Sequence, residues 1–214
     1  MPIKGDVKLE YEKMYFDYGV HVPKRKIYLG SSFSDEEWGE SGIDFYTAEK
    51  LIKSLDILES MNYEPITILY NMIGGDWYHG LAMYDVMRSC KSHITIIGFG
   101  QVRSMGTIVM QGADERVLSE HARFMIHDGE EGYLGKPKDV INFAKESKYT
   151  LDLCYEIYYE ALKDKHFKGV KKKKAIEQIS KWCDTDTYFG AEDSVKMGFV
   201  DRLLGAIDGD EEDE

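Results

Sequence analysis

The run I-T-I-I-G-F-G-Q-V-R-S-M-G-T-I-V-M at residues 94–110 decides how the rest of the chain is read. Residues 94–99 are mostly β-branched and aromatic, which predicts a short buried strand. Gly98 and Gly100 break that run, and Ser104-Met105-Gly106 opens a second apolar segment short enough to be a buried helix. A serine at a strand-to-helix turn can expose its hydroxyl while backbone N–H groups at the helix start face a developing negative charge. Most serines in such a place simply cap the helix, so the residue alone leaves both readings open.

Outward from this run, strand and helix patterns alternate. Residues 26–30 read as a strand ended by glycine, and 31–42 as an acidic loop. Ala48, Leu51, Ile52, Leu55, Leu58 and Met61 carry the three-and-four spacing of an amphipathic helix over 45–61. A strand over 65–70, a turn over 71–75 and a helix over 81–90 lead into the central run. Beyond it come short strands over 116–118 and 123–126, and a glycine-bearing loop. A helix then begins at Pro137, a residue suited to a first helical turn, and could run to about residue 165. That is longer than the ~11–12 residues of an average helix, so part of it is expected to project. Helices over 175–182 and 191–197 flank a turn at 184–188, and Lys171 to Lys174 read as a solvated helix start. Residues 1–24, with Tyr11, Tyr15, Phe16 and Tyr18, show no period that commits to helix or strand. The alternation predicts an α/β fold with parallel pairing and right-handed crossovers. The domain plan is an N-terminal arm over 1–25, one body over 26–204 and an acidic disordered tail over 205–214.

The 214 residues are ample for one core, and a net charge of −12 argues against a nucleic-acid partner. Asp208, Asp210, Glu211, Glu212, Asp213 and Glu214 supply half of that excess, as solvated tails do. Cys90, Cys154 and Cys183 are odd in number and widely spaced, which suits a reducing compartment. No stretch approaches the ~18 apolar residues of a membrane span, and the first residues lack a signal-peptide core. The expectation is a cytoplasmic protein without a membrane partner. His21, His79, His93, His121 and His166 make no ligand pattern with nearby Cys, Asp or Glu, so no metal and no cofactor are predicted.

Three positions stand out where elements end: Ser104, His127 at a strand end, and Asp186 in a turn. Serine is a weak nucleophile until an imidazole takes its proton, and a carboxylate fixes the imidazole tautomer and stabilises its cation. Spacing cannot show that the three converge. His127 alone reads more readily as a hydrogen-bonded core or surface histidine, and Asp186 as an Asx-turn or capping residue.

G-Q-V-R-S-M-G (100–106), R-F-M-I-H (123–127), N-x-x-G-G (71–75) and A-E-x-x-x-x-x-G-F-V-D (191–201) resemble, in order, the ClpP family of self-compartmentalising serine peptidases. The likeness covers roughly residues 26–204. It implies a crotonase-like (ClpP-like) spiral of ββα units with a protruding handle, here about 128–165, made of a helix and an adjoining strand. By the resemblance Ser104 is the nucleophile, His127 the general base and Asp186 the acid, with Asp184 a rival two residues away. Gly75 and Met105 would supply the oxyanion-hole amides. Substrate would lie extended between the loop after Gly75 and the segment around Gly129, Gly132 and Leu134, with Gly74 also in contact. The implied activity is hydrolysis of peptide bonds in unfolded polypeptides through an acyl-enzyme. The implied assembly is a homo-oligomeric ring of six or seven subunits, single or stacked, fed by an AAA+ unfoldase. This chain has no G-x-x-x-x-G-K-[ST] run with which to hydrolyse ATP itself. The order Ser…His…Asp, with Val102 where a G-x-S-x-G elbow needs glycine, excludes an α/β-hydrolase.

Several residues depart from the family pattern. Met72-Ile73 stands where Ser-Pro is usual, Arg103 replaces a small residue before the nucleophile, and Thr185 stands where an Arg often precedes the acid. The segment between His127 and Asp186 is also longer, with the excess around residues 164–174. These departures motivate an alternative, a ring subunit of structural or regulatory role. A third reading, an acyl-CoA enzyme on the same architecture, sits poorly with a complete Ser, His and Asp set.

Overall fold

This computed structural model describes residues 5–30, 32–33 and 40–205. In chain order these form α1 (Gly5–Tyr18), β1 (Val20–His21), a 3-10 turn (Val22–Lys24), β2 (Lys26–Gly30), β3 (Ser32–Phe33), β4 (Glu40–Ser41), α2 (Phe45–Met61) and β5 (Ile66–Met72). There follow α3 (Trp77–Ser89), β6 (Ile94–Arg103), α4 (Met105–Met110), β7 (Glu115–Leu118), β8 (Arg123–Ile126), α5 (Pro137–Leu162), α6 (Lys172–Cys183), β9 (Thr187–Phe189), α7 (Ala191–Met197) and β10 (Arg202–Leu203).

The fold is the expected α/β arrangement. The main sheet runs β1-β2-β5-β6-β7-β10, parallel along that path except at β1 with β2, and β8 joins it parallel to β6 and carries β9 antiparallel. Period-two burial explains the central strands: β5 buries Ile66, Ile68, Tyr70 and Met72 in alternation. Helices cover the sheet with stripes at helical spacing. In α2, Ala48, Leu51, Leu55 and Leu58 are buried, each such leucine contributing about 1.5–3 kcal/mol of transfer free energy. Asp44 caps that helix by accepting the Thr47 N–H at 2.8 Å. Arg25 closes its other end, donating to the carbonyls of Leu58 (2.8 Å) and Glu64 (2.9 Å) and to Ser92 Oγ (3.1 Å).

β6 positions the site. Its ten residues run through both glycines instead of stopping at 99. Residues 95–98 pair with β7, and residues 101–103 pair with β8. The glycines therefore mark a change of partner, not an end. A Cβ on Gly98 would lie 2.6 Å from the Leu118 side chain of β7, so the close approach needs glycine.

Other expectations are corrected by long-range pairing or local caps. Residues 5–18 are helical without an apolar stripe (Leu9 and Phe16 are exposed), carried by the good helix formers Lys8, Leu9, Glu10, Glu12, Lys13 and Met14. The expected turn at 184–188 ends in β9, a strand only because it pairs antiparallel with β8. The expected loop at 31–42 contains the β3–β4 pair, with residues 31 and 34–39 outside the described ones. α3 starts four residues early because Asp76 caps it, accepting the His79 N–H at 2.9 Å. Residues 128–136 carry no strand, so the handle here is a helix alone. The acidic run from Asp208 lies outside the described residues.

Candidate active site

Ser104 stands between β6 and α4 with φ 51° and ψ −131°, a conformation that costs a non-glycine residue about 1–3 kcal/mol. Its surroundings hold it there. The Ser104 N–H donates to the Met125 carbonyl at 2.8 Å, tying it to β8. Its own carbonyl accepts from the Thr107 N–H at 2.9 Å and the Thr107 hydroxyl at 2.6 Å.

Register brings the other two residues to it. β6 and β8 run parallel with Arg103 opposite Met125, so both strands end at the same edge of the sheet. β8 and β9 run antiparallel with Ile126 opposite Thr187. The residue after one strand, His127, then meets the residue before the other, Asp186. His127 Nε2 lies 2.7 Å from Ser104 Oγ, and His127 Nδ1 lies 2.9 Å from Asp186 Oδ1. A carboxylate only accepts, so the Nδ1–H donates to Asp186, leaving Nε2 to accept the serine proton. Asp184 ends α6, its N–H donating to the Ser180 carbonyl at 3.0 Å, and its side chain makes no hydrogen bond to His127.

Both expected amides flank this row. Met105 is the first residue of α4, so its N–H has no intrahelical acceptor. Gly75 has φ 138° and bridges Ile43; a Cβ there would lie 2.4 Å from the Ile43 backbone N and O. Only glycine fits this close approach. Gly74 is buried behind it and accepts the Ile43 N–H.

A cavity of about 210 Å³ is lined by Ser104, His127, Gly75, Trp77, Tyr158 and Gly129. A second cleft of about 290 Å³ shares Gly75, Trp77 and Glu130 with it and includes Gly132. Its walls combine the aromatic rings of Trp77, Tyr78 and Phe143 with the carboxylates of Asp76, Glu130, Glu131 and Glu146. Burial, and then the charges of Glu146, Glu131 and Asp76, push the Tyr78 hydroxyl up from its ordinary value. Leu134 is fully exposed and lines neither space, because the segment that carries it has no strand partner here. Cavities of about 390 and 670 Å³ lie away from Ser104, so size does not locate this chemistry.

Two supports of the site stand outside the residues that the sequence singles out. Asp128, beside His127, accepts the Tyr155 hydroxyl at 2.7 Å and donates its N–H to the Cys183 carbonyl at 2.9 Å. Burial pushes its carboxyl up, against the pull of the Tyr155 hydroxyl and with a further push from Asp184. Tyr158 reaches Thr107 Oγ1 at 2.6 Å. The available signal was the i, i+3 spacing of Tyr155 and Tyr158, which puts both on one face of α5. Arg103, a departure from the family pattern, sets its guanidinium over the Tyr188 ring, 5.7 Å from the centroid, and lines neither cavity. Met72 is buried and paired with Val102.

The model of the Clp protease family matches residues 24–206. The chain belongs to the Clp protease family. A relative from Deinococcus radiodurans, described as ATP-dependent Clp protease proteolytic subunit, is 28% identical over 196 residues, covering 90% of this chain and 86% of its own. Membership implies a peptidase. Among the described residues of this Clp family member, no group of three or more His, Cys, Asp or Glu could hold a metal ion. Nor is any described helix long and apolar enough to cross a membrane.

Proposed function

We propose that this chain is a serine endopeptidase whose nucleophile is Ser104. The observation that carries the reading is the hydrogen-bonded row Ser104 Oγ, His127 Nε2, His127 Nδ1, Asp186 Oδ1, with steps of 2.7 and 2.9 Å. Ser104 Oγ attacks the scissile carbonyl while its proton passes to His127 Nε2, and Asp186 stabilises the imidazolium. The carbonyl electrons move onto oxygen, which the Met105 and Gly75 N–H groups receive. Collapse expels the amine, which takes the Nε2 proton and leaves an ester on Ser104. Water, deprotonated by His127, then releases the acid and restores the enzyme.

Substrate runs extended past Gly75 on one side and Gly129 and Gly132 on the other, with Gly74 buried behind Gly75 and its carbonyl already taken by Ile43, so the substrate's backbone is read more than its side chains. An unfolded polypeptide meets that demand, a folded one does not. The relative's description as an ATP-dependent subunit supports a ring of these chains fed by an AAA+ unfoldase. Labelling by a fluorophosphonate tests the reading: adduct on Ser104, abolished by Ser104→Ala, is the expected result. Folded protein that takes up no label and cleaves no denatured casein overturns it. Light scattering tests the ring, and a monomer at every salt concentration rejects it.

A further inference from the structure

We propose that Tyr158, acting through Thr107, is a positioning residue that aims the Met105 N–H at the oxyanion; this rests on the peptidase reading above. One peptide plane links Thr107's partner to the oxyanion donor. The Ser104 carbonyl and the Met105 N–H belong to the same planar trans unit, so they point in opposite directions. Fixing the carbonyl fixes the amide.

The carbonyl is fixed by a directional chain of hydroxyls. The Thr107 hydroxyl lies 2.6 Å from the Ser104 carbonyl oxygen, which can only accept, so the single Thr107 hydroxyl hydrogen is spent there. Thr107 Oγ1 must then accept from Tyr158, whose hydroxyl lies 2.6 Å away. Thr107 is 0% and Tyr158 1% exposed, so neither can exchange its partner for bulk water. Tyr158 is itself held edge-on against Phe199, with ring centroids 5.6 Å apart and planes at 85°.

The chain has something to resist. Ser104 sits at φ 51° and ψ −131°. A strained residue relaxes most easily by rotating the peptide that follows it, with little movement of side chains. That rotation would swing the Met105 N–H away from the point where the oxyanion forms, while leaving Ser104 Oγ near His127. A protein relaxed in this way would keep its triad and lose an electrostatic donor. The two bonds from Thr107 to the Ser104 carbonyl block the rotation, and Tyr158 holds the Thr107 hydroxyl in the rotamer that makes one of them.

Tyr158→Phe keeps the ring and removes the hydroxyl that donates to Thr107 Oγ1. Full loss of one oxyanion donor lowers kcat by about 10²–10³-fold, and a loosened donor is expected to lose about tenfold. The fall should appear in kcat with KM unchanged. Affinity for a peptidyl boronic acid, whose tetrahedral adduct fills the same hole, should fall by the same factor. In a Ser104→Ala background, affinity for an uncleaved peptide should not respond to Tyr158→Phe. Thr107→Ser, which keeps the hydroxyl, should hold near-normal kcat, and Thr107→Val should fall further than Tyr158→Phe. Rates are taken per folded molecule, from melting curves of each variant. Normal kcat in Tyr158→Phe, or a loss shared equally by Thr107→Ser and Thr107→Val, overturns the proposal and leaves the peptidase reading standing. A wild-type chain that neither labels nor cleaves removes both.

Discussion

Along α5, Thr150, Cys154, Tyr155, Tyr158 and Leu162 are buried, whereas Val140, Ile141 and Tyr149 are 40%, 57% and 63% exposed. One helix thus has two kinds of surroundings. Its second half packs under the site, with Tyr158 beneath Ser104 and Tyr155 holding Asp128 beside His127. Its first half carries apolar side chains into solvent, next to residues 128–136, which have no strand partner. The contrast teaches where this chain is complete by itself. The floor and the reacting groups are built from its own core, and the proposed substrate wall is not. In the proposed ring, a second copy is what the exposed half would meet.

The sharpest break of that contrast is at the finished half. Ser104→Ala is expected to lower kcat/KM by about 10³-fold or more, with an unchanged melting temperature. Equal activity of the variant on a quenched peptide would show that the built half performs no nucleophilic chemistry.

Next in size is the carboxylate. Asp186→Asn loses the acceptor that fixes the His127 tautomer, and about 10²–10⁴-fold in kcat is the expected range. Asp184→Asn should leave the rate essentially unchanged, since Asp184 closes α6 and makes no hydrogen bond to the imidazole. Reversal of the two results in a side-by-side assay would move the acid to Asp184.

Stability measurements compare the two halves directly. Leu162→Ala, at a fully buried position, should cost about 2–5 kcal/mol in a urea titration. Ile141→Ala, on the exposed half, should stay within about 0.5 kcal/mol when the chain is kept dilute. Similar losses at the two positions would erase the distinction.

A smaller effect belongs to the ion pair that closes the far side of the sheet. The Asp201 carboxylate accepts from Arg116 Nε at 3.0 Å, Nη2 at 2.6 Å and backbone N–H at 2.7 Å. Partial burial pushes its carboxyl up, but those bonds and the Arg116 charge outweigh burial and hold it below the ordinary range. A lowered carboxylate stabilises the fold fully above its unfolded value of about 3.9, and that stabilisation is lost as pH falls through the lower folded value. The gap in melting temperature between wild type and Asp201→Asn should therefore be present at pH 6 and shrink as the solution is acidified below about pH 4. A gap that widens in acid would contradict the assignment.

Much of this was legible in the chain, for identifiable reasons. The boundaries of α2 and α7 follow from apolar spacing and caps, which are local. The union of Ser104, His127 and Asp186 was legible only by likeness, because it depends on the register of β6, β8 and β9, which no spacing encodes. β9 and the full length of β6 were missed for the same reason: each is a strand because of a partner distant in sequence. For the Tyr158–Thr107 and Tyr155–Asp128 bonds only the shared helix face of the two tyrosines was legible, not their partners. A buried tyrosine on an amphipathic helix looks like core until something polar is seen opposite its hydroxyl.

The least effect on the single chain is expected where the consequence for assembly is greatest. Ile141→Glu places a charge on a side chain that is 57% exposed, so the dilute chain should unfold within about 0.5 kcal/mol of wild type. If a second copy covers this half of α5, the same carboxylate would be buried without a partner, which costs several kcal/mol per ion. Mass by light scattering should then fall to that of one chain at concentrations where wild type is assembled. The concentration dependence of the melting temperature, expected for an assembly that binds only folded subunits, should vanish with it. An unchanged mass, with peptidase activity retained, would mean that α5 projects without meeting another copy, and that residues 128–136 need some other partner to become a substrate wall.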